Sequence, residues 1–195
     1  EHRISPYYPL AKINVKFGDA DPNLERTFDD IEVKVDFTEF DKTARKAFGK
    51  YRFNTFRLPL HGLGGGTFHS RRLGSIAGYE QGTPEHEELF TRYVGKLQEH
   101  LEENGWLDEA FVYWFDEPTP RDYDFIKDGM SLIHRAGPKL SRMLTEEPAE
   151  PLYGYVDIWC PITPNYNFEI AEERRRAGEH FWWYVCTGPK EPYCT

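Results

Sequence analysis

From residue 31 onward the chain alternates short strand-like runs with longer helix-like ones, and nothing else in it limits the fold so strongly. Residues 31–37 alternate apolar and polar side chains at period 2, the pattern of a half-buried strand. Phe40, Ala44, Ala47 and Phe48 then share one helical stripe over residues 41–49, and residues 52–60 read as the next strand. A glycine-rich stretch over 62–82 reads as a loop and ends at Thr83-Pro84, an N-cap followed by proline in the first helical position. The helix that follows carries Phe90, Tyr93, Val94, Leu97 and Leu101 on one face and stops at Asn104-Gly105.

Ala110-Phe111-Val112-Tyr113-Trp114-Phe115 is nearly continuous in apolar residues, as expected of a strand covered on both faces. Thr119-Pro120 opens another helix, striped by Ile126, Met130 and Ile133 and ended by Gly137. Residues 140–144 and 155–159 read as short strands. Asn167 caps a helix reaching Ala177, and residues 180–186 close the series as an aromatic strand. Strands alternating with helices predict a parallel sheet with right-handed crossovers. The connection over 145–154 is barely long enough for such a crossover. About six strands are visible, and 195 residues fall short of the about 250 typical of an eight-stranded α/β barrel. The expected fold is therefore a partial (β/α)8 TIM-type barrel, a single domain over residues 1–195 whose completing segments lie elsewhere.

Composition narrows the function. Twenty-four Lys and Arg against 33 Asp and Glu give a net charge of −9 without a basic cluster, which argues against nucleic acid as the main partner. No apolar run approaches the roughly 18–20 residues of a membrane span. Aromatic residues make up 16% of the chain, enough to argue against disorder and to supply flat faces on which sugar rings stack. Three cysteines, Cys160, Cys186 and Cys194, are too few for a disulfide scaffold; Cys186 and Cys194 pair or remain thiols. The chain opens on Glu1 with no signal-like segment and reads as a processed or truncated product, with an extracellular or periplasmic location favoured.

In a parallel α/β architecture reactive groups stand where strands end. Those positions hold Asp36, Arg57 and His61, Asp116-Glu117, Glu146-Glu147, Trp159 and Asn165, with Trp182, Trp183 and Tyr184 in the last strand. They are mostly acidic and aromatic, without an activated serine or cysteine, which suggests sugar chemistry. The sharpest signal is Tyr113-Trp114-Phe115-Asp116-Glu117-Pro118, two adjacent carboxylates at the mouth of a buried strand. Chain neighbours in a regular strand point to opposite faces, so both serve one site only if the backbone bends there. Glycoside cleavage needs an acid to protonate the leaving oxygen and a second group to stabilise the oxocarbenium ion. An Asp beside that acid can instead orient a substrate's own acetamido group as nucleophile. The competing reading is that an acidic pair before proline simply ends a strand and caps the next helix.

Five stretches together carry a family resemblance. They are Val35-Asp36-Phe37-Thr38-Glu39-Phe40-Asp41, Asn54-Thr55-Phe56-Arg57-Leu58-Pro59-Leu60, residues 113–118, Asp157-Ile158-Trp159-Cys160-Pro161 and Phe181-Trp182-Trp183-Tyr184-Val185-Cys186. Over most of residues 30–193 the chain resembles the catalytic domain of glycoside hydrolase family 123. The resemblance implies a (β/α)8 barrel, related to β-N-acetylhexosaminidases, that removes β-linked N-acetylgalactosamine by substrate-assisted retention with no metal or organic cofactor. It also implies that Glu117 is the general acid/base and that Asp116 holds the acetamido nitrogen. Trp159, Trp182 and Tyr184 would line the sugar pocket.

Other signals are weaker. Trp182 and Tyr184 share a face by alternation, as core or as a stacking platform, with Trp183 on the other. His61 precedes the Gly62-Leu63-Gly64-Gly65-Gly66 loop and either bonds a sugar hydroxyl or is structural; His69 follows it. Thr67 stands where a dinucleotide fingerprint needs its third glycine. His86-Glu87-Glu88-Leu89-Phe90 has Phe90 where a zinc-protease helix needs histidine, so no metal site is expected. Asp19, Asp21 and Asn23 do not complete a calcium loop, and Arg174-Arg175-Arg176 reads as a solvated helix end.

Overall fold

A computed structural model describes residues 10–18, 28–67 and 70–186. Asp19, Asp21, Asn23, His69 and Cys194 lie outside the described residues. The first two strands, β1 (Asn14–Phe17) and β2 (Val33–Asp36), form their own antiparallel ladder with Val15 opposite Val35, rather than β2 joining a parallel sheet. Helix α1 (Thr38–Ala44) follows β2 directly and continues as a wider π-helical turn over Arg45–Lys50.

The strand expected over 52–60 forms ladder pairs only at β3 (Phe56–Arg57). The glycine-rich stretch is not a bare loop but folds into short strands, β4 (Gly65–Thr67), β5 (Ser70–Arg72), β6 (Ser75–Ile76) and β7 (Tyr79–Glu80). Local hydrogen bonding drives this: the side-chain oxygen of Gln81 accepts from the Gly64 and Gly74 N–H groups at 2.7 and 3.0 Å, tying the two hairpins together. The long helix α2 (Pro84–Glu103) begins where Thr83 accepts from the His86 N–H, as its sequence predicts.

Next come β8 (Ala110–Tyr113), β9 (Phe115–Asp116), α3 (Tyr123–Ala136), β10 (Ser141–Leu144), β11 (Ile158–Trp159), α4 (Phe168–Arg176) and β12 (His180–Phe181). A 3₁₀ turn, Pro120–Asp122, leads into α3, and its cap works in reverse: Asp122 accepts from both the N–H and the hydroxyl of Thr119. Five strands form a parallel sheet in the order β12-β11-β10-β8-β3, so the chain is a mixed α/β structure built on parallel pairing. The short 145–154 link does join parallel neighbours, with a 3₁₀ turn at Glu150–Leu152 in place of a helix. It closes on an ion pair in which the buried Arg142 donates to the partly exposed Asp157 through Nε at 2.7 Å and Nη2 at 2.9 Å.

Alternation along these strands separates two faces. Ala110, Val112, Leu144, Trp159 and Phe181 belong to the main core, which also takes in the apolar stripes of α2 and α3. Phe111, Tyr113, Met143, Ile158 and Cys160 form a second cluster on the other face, with Trp182 and Tyr184 against it. No described helix is long and apolar enough to cross a membrane.

Candidate active site

The site begins where β8 stops. The chain leaves the five-stranded sheet at Trp114 and re-pairs as β9 with β4, setting Phe115 beside Gly66 and Asp116 beside Thr67. Glycine is required at 66: a Cβ there would lie 2.3 Å from the Ser70 carbonyl oxygen and 2.9 Å from the Phe115 ring. The Trp114 indole is seated against α3, where Gly129 leaves the room; a Cβ on Gly129 would meet it at 2.1 Å. Glu117 then takes φ +42°, a region that side-chain-bearing residues rarely occupy. This is the bend that the paired carboxylates require.

Neutral hydroxyls hold the pair. Tyr113, three residues earlier and on the second-cluster face, donates its phenolic hydrogen to Asp116 Oδ1. Thr145, the residue after β10, donates to the same oxygen at 3.2 Å and accepts from the Glu117 N–H at 2.8 Å. Tyr184 donates its hydroxyl to Glu117 Oε1. Asp116 Oδ2 receives no hydrogen bond from a described residue, and both carboxylates are partly exposed.

The charges act on their neighbours. Burial, then the hydrogen bond and charge of Glu117, raise the Tyr184 hydroxyl well above its ordinary value, with Asp116 adding to the effect. Its proton therefore stays on, as a donor to Glu117 must. Glu146 stands after Thr145, where burial first and the charges of Glu147 and Glu117 next push its carboxyl up to about 7. Tyr123, at the start of α3, donates to Glu146 Oε1 at 3.3 Å and is itself pushed up to about 12, chiefly by burial.

A cavity of about 550 Å³ is lined by Arg57, Leu60, Leu63, Gly66, Tyr113 and Trp114 among others; Asp116 and Glu117 are not in its lining. Tyr113 is the link between cavity and pair: it belongs to the lining, the Arg57 guanidinium lies 5.4 Å from its ring centroid, and its hydroxyl holds Asp116. A cleft of about 600 Å³ between residues 29–33 and α2 shares no lining residue with it.

Among the residues singled out in the sequence, Asp116, Glu117 and Tyr184 come together, and Trp182 stands on the same face, edge-on to Phe111 at 5.0 Å. Trp159 does not. It is fully buried on the helix-packed face, its indole N–H donating to Glu179 and its ring edge-on to Tyr153, so it is core rather than pocket wall. Trp183 is 60% exposed. His61 is exposed, its N–H 3.4 Å from the Tyr93 hydroxyl, and Asn165 is exposed on the turn Thr163–Asn165; no contact joins either side chain to the carboxylates. Asp36 caps α1 instead, accepting from the Thr38 N–H and hydroxyl, which hold its carboxyl below the usual range.

Three contributors escaped the sequence reading: Tyr113 as a donor, Thr145 and Tyr123. For Thr145 the available signal was position, since a polar residue immediately after a parallel strand faces the reactive edge of the sheet. Among the described residues no group of three or more His, Cys, Asp or Glu is placed to hold a metal ion. His86 is buried, its Nε2 2.7 Å from the Gly62 carbonyl oxygen. Cys160 is a buried thiol pushed up to about 11 by burial, and Cys186 is exposed.

Arranged this way, the pair offers one carboxyl able to exchange a proton with a bound molecule and one carboxylate fixed as an acceptor. A family model described as glycoside hydrolase 123, catalytic domain, matches residues 68–193, a span that contains the pair and Tyr184. Among solved structures the fold is similar to that of a family 123 glycoside hydrolase from Clostridium perfringens, the subject of work on glycolipid glycan hydrolysis, with a TM-score of 0.56 and 16% identity. The match covers 91% of this chain and 32% of that one, so the chain spans about a third of that protein's length. No curated protein matches in sequence.

Proposed function

The chain belongs to glycoside hydrolase family 123, and from that premise we propose that it contributes the acid/base and acetamido-orienting residues for hydrolysis of terminal β-linked N-acetylhexosamine, N-acetylgalactosamine above all. The observation that supports this reading is the hydrogen-bond set at the exit of β8, in which Tyr113 and Thr145 donate to the Asp116 carboxylate, Thr145 accepts from the Glu117 N–H and Tyr184 donates to the Glu117 carboxyl. Its parallel strands would form part of a (β/α)8 barrel completed by other segments of a longer protein.

In the first step Glu117 gives its proton to the departing glycosidic oxygen while the substrate's acetamido carbonyl oxygen attacks the anomeric carbon. Asp116, held on Oδ1 by two hydroxyls, accepts the acetamido N–H through Oδ2 and offsets the positive charge that gathers on the resulting oxazolinium ring. In the second step Glu117, now a carboxylate, takes a proton from water as that water attacks the anomeric carbon from the face the leaving group vacated. The ring opens and the sugar leaves with its original anomeric configuration. Tyr184 keeps the Glu117 carboxyl aimed through its Oε1, leaving Oε2 for the proton in transit. Trp182 supplies the flat wall for the sugar, while His61 and Asn165 would serve only at the rim.

A chromogenic β-N-acetylgalactosaminide and the matching β-galactoside test this directly. Hydrolysis of the first alone is expected, because only it carries the internal nucleophile. Equal turnover of both would replace substrate assistance with an enzyme nucleophile, and binding without turnover would make the chain a carbohydrate-binding fragment.

A further inference from the structure

Two neighbours on a chain serve one ligand only when something overrides strand alternation, and the backbone at Glu117 shows that it has been overridden. Holding a side-chain-bearing residue at positive φ is costly, so the surrounding contacts must hold the turn. The parallel register accounts for which contact is available. β10 pairs with β8 so that Met143 lies beside Tyr113; two residues on, Thr145 therefore meets the segment where β9 ends.

A threonine hydroxyl has one hydrogen and two lone pairs. Here the hydrogen goes to Asp116 Oδ1 at 3.2 Å and a lone pair receives the Glu117 N–H at 2.8 Å, so a single oxygen holds both members of the pair. The Tyr113 hydroxyl lies 3.3 Å from the same oxygen, but its hydrogen is committed to Asp116. Tyr113 thus reaches only Asp116, and Tyr184 only Glu117. Among the described residues Thr145 alone binds both.

We propose that Thr145 is a positioning residue that fixes the left-handed turn at Glu117 and so makes two adjacent carboxylates converge. The role rests on the catalytic reading of Asp116 and Glu117 given above, and it acts through them rather than on the substrate.

Thr145→Val removes the hydroxyl but keeps the branched shape, whereas Thr145→Ser keeps the hydroxyl and loses a methyl group. With the β-N-acetylgalactosaminide, the valine variant should lose about 100-fold in kcat with KM little changed, the cost expected of misplaced catalytic groups. The serine variant should recover most of that loss, a rescue that a packing role would not produce. Wild-type kcat in Thr145→Val beside an inactive Glu117→Gln would overturn the assignment while leaving the catalytic reading intact. If the wild-type chain hydrolyses no N-acetylhexosaminide, the catalytic reading fails by itself, and a crystal structure of Thr145→Val still decides the clamp. Glu117 should then leave the positive-φ region; an unchanged turn with both carboxylates in place would refute it.

Discussion

The helix-packed side of the sheet and its carboxylate-bearing edge both hold charged groups, and they hold them in opposite ways. On the helix-packed side two arginines meet opposite charges: Arg142 forks onto Asp157, and Arg174 binds Glu179 while lying 3.7 Å from the Tyr153 ring centroid. Glu179 also takes the Trp159 indole N–H, so ion pair and aromatic ring lock together. At the edge, the carboxyl groups of Asp116, Glu117 and Glu146 accept only from hydroxyls among the described residues, the Glu117 N–H donates to the Thr145 hydroxyl, and no described cation pairs with them. A charge neutralised by a partner stabilises the fold but has little left to offer a ligand. One held by neutral donors is fixed in place with its field intact, which a group that must polarise or protonate a substrate requires.

The contrast is sharpest at Glu117. Glu117→Gln should lower kcat on the N-acetylgalactosaminide about 1,000-fold, because the amide has no proton to give, while the unfolding midpoint in denaturant moves little. Near-normal turnover would end the division of labour between edge and interior.

Glu146 breaks the comparison in a measurable way, since an edge carboxyl without a cation should be a burden once ionised. Its folded value near 7 lies above the ordinary 4.5, so the folded state holds the proton more tightly than the unfolded one. That contribution to stability is full below about pH 4.5 and is lost as the pH rises through 7. Glu146→Gln should therefore flatten this decline and leave the variant more stable than wild type at pH 8, by on the order of 1 kcal/mol once solvent screening of the half-exposed group is allowed for. Urea unfolding at pH 5 and pH 8 measures it, and equal pH slopes in the two proteins would count against it.

The smallest effect belongs to Trp159. Trp159→Phe removes the indole donor to Glu179 and should cost about 1 kcal/mol of stability while the sugar KM stays where it was. A large rise in KM with unchanged stability would return this ring to the ligand side.

Much of this was legible in the residues. Thr83-Pro84, Asn167 and the stripes of α2 and α3 announce themselves because caps and helical periodicity act within a few residues of chain. The Ala110–Tyr113 run reads as a buried strand for the same local reason, and Asp116-Glu117 stands out as an acidic pair at its exit. The hairpins inside the glycine-rich stretch did not show, since Gln81 holds them from beyond their own residues. Trp159 misleads because a tryptophan at a strand end looks alike from either face until neighbouring strands are in register.

The sequence by itself determined the alternation of strands and helices, the covered strand Ala110–Tyr113 and the presence of two neighbouring acids, the first two being consequences of short-range sterics and periodic burial. Only the tertiary structure decided that Thr145 and Tyr184 join Tyr113 in holding these acids, and that Trp159 turns inward. The contacts made by Thr145 and Tyr184 depend on strand register between segments 28 and 67 residues apart, which no local pattern encodes.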